Sequence, residues 1–324
     1  MANARQLIAM IRSHAAGDDL RFLSVAEEIA GQAGKAGRTK MADELIKLIE
    51  AIRTRQSKEG SVTVIAKPRG ELAGLIRAAY PEQTLADLVL NPTLDRQVRR
   101  LVREHRERPR LEARGLRPRR KLLFSGPPGT GKTMTAAVIA GELDLPLFTI
   151  LLDGVITKYM GESAAKLRLI FDAMRSARGV YFFDEVDGLA TSRGSENDVG
   201  EARRMLTSFL QFLEEENSHS IIIAATNNRL SLDPAIFRRF DGSFLYALPT
   251  QAEARKVLRN HLLQFDRERL DWNAIDDISQ ALSHADLASA AEDAARDAVL
   301  DNDGDMTTEI LAQALRDRTD LHEN

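Results

Sequence analysis

The stretch Lys121-Leu122-Leu123-Phe124-Ser125-Gly126-Pro127-Pro128-Gly129-Thr130-Gly131-Lys132-Thr133-Met134 decides the fold. Leu122 to Phe124 is a short apolar run of the kind that forms a buried strand. Gly126 to Thr133 satisfies G-x-x-x-x-G-K-[ST], and Thr135 to Leu143 has the composition of a helix. Strand, glycine loop and helix together make an anion cradle. The glycines let the backbone close around phosphates, and the helix start presents free N–H groups and a positive dipole end. Lys132 is spaced to reach β- and γ-phosphates, and the Thr133 hydroxyl to bind Mg²⁺. Gly126, Pro127, Pro128, Gly129, Thr130, Gly131, Lys132, Thr133 and Met134 are the expected nucleotide-binding positions.

Downstream, apolar runs and helical stretches alternate. Lys121 to Ser125, Leu147 to Leu151, Val180 to Phe183, Ser220 to Ala225 and Phe244 to Leu248 read as five strands. That order predicts an α/β fold, a parallel five-stranded sheet covered by helices. The strand Val180-Tyr181-Phe182-Phe183 ends in Asp184-Glu185. Asp184 is suited to hold Mg²⁺ through its water shell, and Glu185 to orient and deprotonate an attacking water. Another strand, Ile221 to Ala225, leads into Thr226-Asn227. Ligands of such sheets sit at the carboxyl ends of strands, so Asn227 is a candidate partner for a γ-phosphate or that water.

Past Pro249 the strands stop. Residues 251–265, 272–282, 285–301 and 307–318 read as a C-terminal all-helical part. Before the sheet, three apolar stripes predict an N-terminal helical domain over 1–56: Leu7, Ile8, Ile11; Phe22, Val25, Ala26, Ile29; and Leu45, Ile46, Leu48, Ile49, Ile52. Residues 57–84 read as a connector, with Val62 to Ile65 as a short strand. The full division is 1–56, 57–84, an α/β domain over 85–250, and 251–324.

Composition narrows the classes. Net charge is −3, so nothing global favours nucleic acid or anionic membrane. There are no cysteines, which excludes disulfides, thiolate metal sites and cysteine nucleophiles. Arg12 and His14 interrupt the apolar start too early for a secretory core, and no apolar run reaches the roughly 20 residues of a membrane span. A cytoplasmic protein is expected. The local exception is Asp95 to Lys121, with 12 basic and 4 acidic residues. It reads as a solvated helix or as a nucleic-acid patch; the lack of interleaved aromatic residues weakens the second.

These motifs carry a resemblance. GPPGTGKT (126–133), FFDEVD (182–187), AATNN (224–228) and LDPAIFRRFD (232–241) resemble the AAA family of ATPases, over roughly residues 85 to 300. The resemblance implies ATP with Mg²⁺ as the bound nucleotide and ATP hydrolysis as the activity. It implies a sensor role for Asn227. It implies that Arg238 and Arg239 are arginine fingers that enter a neighbouring subunit's site. The finger segment is shorter than the common R-R-x-G-R-F-D form, which leaves open which arginine acts. Lys158-Tyr159-Met160-Gly161-Glu162-Ser163 is similar to the pore loop of the katanin, spastin and proteasomal-ATPase type, in which Lys158, Tyr159 and Met160 would grip an extended polypeptide. The alternative is that Tyr159 and Met160 are core residues. Leu282-Ser283-His284-Ala285-Asp286-Leu287 resembles the S-G-A-D-L of the family's helical lid, with His284 replacing glycine.

The implied machine is a homo-oligomeric ring, with a hexamer expected, that unfolds or remodels protein substrates, aided by a separate adaptor or effector. Two alternatives stay open: a nucleic-acid-handling ATPase, and an ATP-dependent switch or scaffold for a separate effector such as a protease.

Overall fold

The computed structural model describes residues 70–155, 162–189, 196–229 and 234–323, together with Ala26 and Lys47. The chain divides into two units, Met1–Val64 and Ile65–Asn324. Apart from Ala26, the helical stripes of 1–56 lie outside the described residues, as do the strand at Val62 to Ile65 and the Lys158 to Met160 loop.

In the second unit a six-stranded sheet forms from β1 (Ile76–Ala79), β2 (Lys121–Ser125), β3 (Leu147–Ile150), β4 (Val180–Phe183), β5 (Ile221–Thr226) and β6 (Gly242–Leu245). Its order is β1-β3-β4-β5-β2-β6. Strands β2 to β6 are parallel, with Phe124 opposite Ala225 and Phe183 opposite Ala224. Every residue of β4 and β5 is buried. Helices cover both faces of a central parallel strand, so such strands read as unbroken apolar runs.

The sixth strand corrects the five-stranded expectation. β1 lies in the segment read as connector and pairs antiparallel with β3, Ile76 opposite Ile150 and Ala79 opposite Leu147. Ile-Arg-Ala-Ala has one strong strand former and a half-buried pattern, as an edge strand can. At the other edge, β6 begins two residues earlier than Phe244 because Gly242 pairs with Leu122.

Alternate strand residues divide between two cores. Leu123, Tyr181, Phe183, Ile222 and Ala224 face one side. Leu122, Val180, Phe182, Ile221 and Ile223 face the other. The second side is covered by α1 (Pro92–Arg106) and α2 (Lys132–Glu142). The first is covered by α3 (Glu162–Ser176) and α4 (Glu196–Glu215). Phe183 meets Phe171 at 5.9 Å and Phe209 at 5.1 Å between ring centroids, inside the attractive range for aromatic pairs.

Helix α1 resolves most of the arginine-rich stretch. Asn91 caps it, its Oδ1 accepting from the Thr93 and Leu94 N–H groups. Leu94, Val98, Leu101, Val102 and His105 form the buried stripe. Arg99, Arg100 and Arg103 lie on the other face and pair with Asp95, Glu104 and Glu107 four residues away, at 2.8, 3.2 and 2.6 Å. Such exposed pairs are screened by water, so they neutralise charge more than they stabilise. This is the solvated-helix outcome for that face.

After β6 the chain is helical: α5 (Gln251–His261), α6 (Trp272–Ile278), α7 (His284–Asp301) and α8 (Thr308–Glu323). Thr250 with Glu253, and Ser283 with Asp286, form capping boxes that fix the starts of α5 and α7. Leu258, Leu262, Ile275, Leu287, Leu311 and Leu315 build a separate core. The four expected helices are present, the last running five residues beyond 318. No helix among the described residues is long and apolar enough to cross a membrane.

Candidate functional site

The glycine loop joins β2 to α2 at the carboxyl end of the sheet. Gly126 donates its N–H to the Thr226 carbonyl at 3.2 Å, tying the loop to β5. A Cβ on Gly126 would collide with the Tyr246 backbone oxygen. One on Gly129, at φ +70, would collide with the Ser283 hydroxyl. The loop is thus packed between the end of β6 and the start of α7, with Ala285 N–H donating to Gly129 O at 3.0 Å. No side chain caps α2. Its first N–H groups are left for an anion.

Lys132 is buried, 6% exposed, and donates from Nζ to the carbonyls of Gly126 and Pro127, both at 2.8 Å. It forms no ion pair among the described residues. Desolvation holds its pKa below the usual lysine value, opposed by the charges of Asp184, Asp187 and Glu185. A desolvated ammonium that no described carboxylate pairs with directly fits a site built for an anion.

At the end of β4, Asp184 Oδ2 accepts from Thr133 Oγ1 at 3.4 Å. Glu185 follows with φ +51, the left-handed region that non-glycine residues rarely occupy. Strained backbone of this kind concentrates at functional sites, and the Glu185 side chain is exposed. Asn227, one residue past β5, donates from Nδ2 to Glu185 Oε1 at 3.5 Å. The loop, the acid pair and Asn227 share a cavity of about 510 Å³, a size that suits a nucleotide. Among the described residues no cluster of three His, Cys, Asp or Glu forms a ready metal cage. The Thr133 hydroxyl and Asp184 carboxylate fit Mg²⁺, which keeps waters and takes phosphate oxygens as ligands.

The far end of the cavity is apolar and was not legible in the sequence. Leu88, Val89 and Leu90 line one wall; Val257, Ala285 and Ala288 line another. None carries a motif, and they meet only because α5 and α7 fold against the sheet. His284 also stands here. Both ring nitrogens are buried and make no hydrogen bond, while the Val89 backbone approaches the ring without reaching hydrogen-bond geometry. Burial lowers its pKa, with Glu253 and Val89 opposing. Burial thus disfavours the charged ring, and the imidazole keeps an unsatisfied N–H and lone pair at the edge of the cavity. His284→Gly should weaken equilibrium ATP binding about tenfold, the worth of roughly one hydrogen bond. Calorimetric titration checks this; unchanged affinity would remove His284 from the site.

Arg238 and Arg239 follow the short helix Pro234–Phe237 and are exposed. Arg239 pairs with Glu214. Arg238 has no ion pair or hydrogen bond among the described residues. Neither lines the cavity, and among the described residues no arginine does.

Residues 122–248 match the model of the "ATPase family associated with various cellular activities (AAA)". An uncharacterised AAA family ATPase, y4kL, of Sinorhizobium fredii is 36% identical over 261 residues, covering 80% of this chain and 78% of that protein. The chain belongs to the AAA family of ATPases. ATP hydrolysis is its activity. Further relatives of this AAA ATPase include the ATP-dependent zinc metalloprotease FtsH 3 of Sphaerobacter thermophilus, 31% identical, covering 76% of this chain and 52% of that one. Another is the cell division cycle protein 48 homologue of Archaeoglobus fulgidus, 32% identical, covering 69% and 31%. This AAA ATPase spans about half or less of those two. The crystal structure of the FIGL-1 AAA domain shares the fold, with a TM-score of 0.60 at 23% identity, covering 77% of this chain and 90% of that one.

Proposed function

We propose that this AAA ATPase works as a homo-oligomeric ring, a hexamer, that couples ATP hydrolysis to remodelling of protein substrates threaded past Tyr159. The observation that carries this reading is a division of parts. The loop, Asp184, Glu185 and Asn227 converge on one cavity that no arginine among the described residues lines, while Arg238 and Arg239 stand exposed outside it. A neighbour's arginine would complete the site, as charge on a transferring phosphoryl group requires.

In this reading the backbone of Gly126 to Met134 and Lys132 bind and orient the triphosphate. Thr133 and Asp184 hold Mg²⁺, which would neutralise phosphate charge when bound. Glu185 takes the proton of the attacking water, and Asn227 fixes the Glu185 carboxylate. The helices of 251–324 act as a lid over the nucleoside, and residues 1–56 choose the target or adaptor. A cytoplasmic location accords with the lack of a membrane-spanning helix among the described residues. Pairing of the α1 arginines with carboxylates disfavours the nucleic-acid alternative.

A second reading has one observation behind it. Some relatives are named ATP-dependent zinc metalloproteases, and this chain spans about half of one of them. A regulatory ATPase that serves a separate protease accords with that. Tyr159→Ala separates the two. Under the remodelling reading, basal hydrolysis stays within about twofold while unfolding of a fluorescent protein substrate is lost. Full biological activity without the aromatic side chain would favour the switch.

A further inference from the structure

Not every arginine near α1 is neutralised by a carboxylate. A second cavity, about 460 Å³, opens where Arg120 leads into β2 and residues 217–219 lead into β5. It lies at the amino ends of these parallel strands, opposite the end that carries the nucleotide cavity. Arg108, Arg117 and Arg120 line it with His105 and His219. Arg178, just before β4, is near enough for its charge to act on Arg108 and His219.

The local charge does not balance. Arg108 pairs with Glu112 at 2.6 Å. Arg120 donates through Nη2 to the Glu216 carbonyl; its Nη1 is buried without a hydrogen bond, 3.8 Å from the Glu216 carboxylate. Arg117 and Arg178 have no ion pair or hydrogen bond among the described residues. Glu112, Glu216 and Asp241 thus offset Arg108 and Arg120, while Arg117 and Arg178 are left without a paired carboxylate among the described residues, in a chain whose net charge is −3. The imidazoles add little charge. His105 Nε2 lies 2.7 Å from the Arg119 carbonyl, and burial lowers the pKa of both histidines. Burial likewise disfavours the charged forms of Arg120 and Arg178, with Glu216 and Asp241 opposing at Arg120 and the Arg108 guanidinium adding to it at Arg178. Convergent, partly desolvated cations call for an anion of more than one charge.

Guanidinium forks match the oxygens of phosphate in paired hydrogen bonds. Among the described residues no Phe, Tyr or Trp lines the cavity, so these offer no stacking platform for a base. We infer that this cavity is a second anion site, separate from the nucleotide pocket, and that it takes a small polyvalent phosphate such as pyrophosphate. Every residue of this lining comes from one chain.

The test uses the full chain with ADP saturating the nucleotide pocket, titrated calorimetrically with pyrophosphate at constant ionic strength. Wild type should bind. The double variant Arg117→Ala/Arg178→Ala should bind about tenfold or more weakly, with an unchanged melting temperature in ADP as the folding control. Lys132→Ala, which weakens only the loop site, should bind pyrophosphate as wild type does. No binding by wild type, equal affinity in the double variant, or loss in Lys132→Ala alone each overturns the assignment. So does capture of a single-stranded oligonucleotide by these arginines when pyrophosphate is not bound.

Discussion

Glu185→Gln should retain ATP binding and lose between about 10²- and 10⁴-fold in turnover, the usual contribution of a positioned general base. Glutamine keeps the side-chain length and the Asn227 contact. It cannot accept the proton that water must shed. The backbone at Glu185 is held at φ +51, and the substitution does not alter what holds it there. Binding and chemistry should therefore separate. A fluorescent-nucleotide titration and a phosphate-release assay, run on the same preparation, measure both. The trapped, ATP-bound protein should also elute as the larger oligomer. Wild-type phosphate release from this variant would strip Glu185 of the base role. The water would then have to be activated by another group in the cavity.

How far the sequence reveals the site depends on whether chemistry is local along the chain. Gly126 to Thr133 is legible because one loop must supply the glycines, the ammonium and the hydroxyl together. Asp184-Glu185 is legible because both carboxylates follow one apolar strand. The nucleoside end of the cavity is not legible. Leu88 to Leu90 and Val257 are ordinary apolar residues until α5 folds beside the loop. Strand β1 was hidden for a different reason. Two of its four residues are alanines, and an edge strand buries only half its side chains. The arginine-rich stretch splits between the two cases. The i,i+4 carboxylates of α1 can be counted from the sequence. The cavity around Arg117 and Arg120 cannot, because Arg178 and His219 arrive there from distant positions.

The two arginines after Phe237 are indistinguishable in sequence, and the fold separates them. Arg239 is engaged by Glu214 on its own subunit; Arg238 is free among the described residues. If a neighbour's guanidinium completes the site, Arg238→Ala should lower turnover about 10³-fold or more, in the range of arginine fingers. Arg239→Ala should cost much less, because that guanidinium already has a carboxylate. A drop in one variant does not by itself place the residue across an interface; mixing does. Co-assembled in equal amounts, inactive Glu185→Gln and inactive Arg238→Ala subunits leave roughly a quarter of the head-to-tail interfaces with an intact Glu185 on one side and an intact Arg238 on the other. Phosphate release should return at about that fraction of wild type. Two residues that act within one chain cannot complement in this way, since every subunit in the mixture lacks one of them. A mixture as inactive as its components, with co-assembly verified by differential labelling, would confine the site to one subunit. Oligomerisation would then have no part in the chemistry.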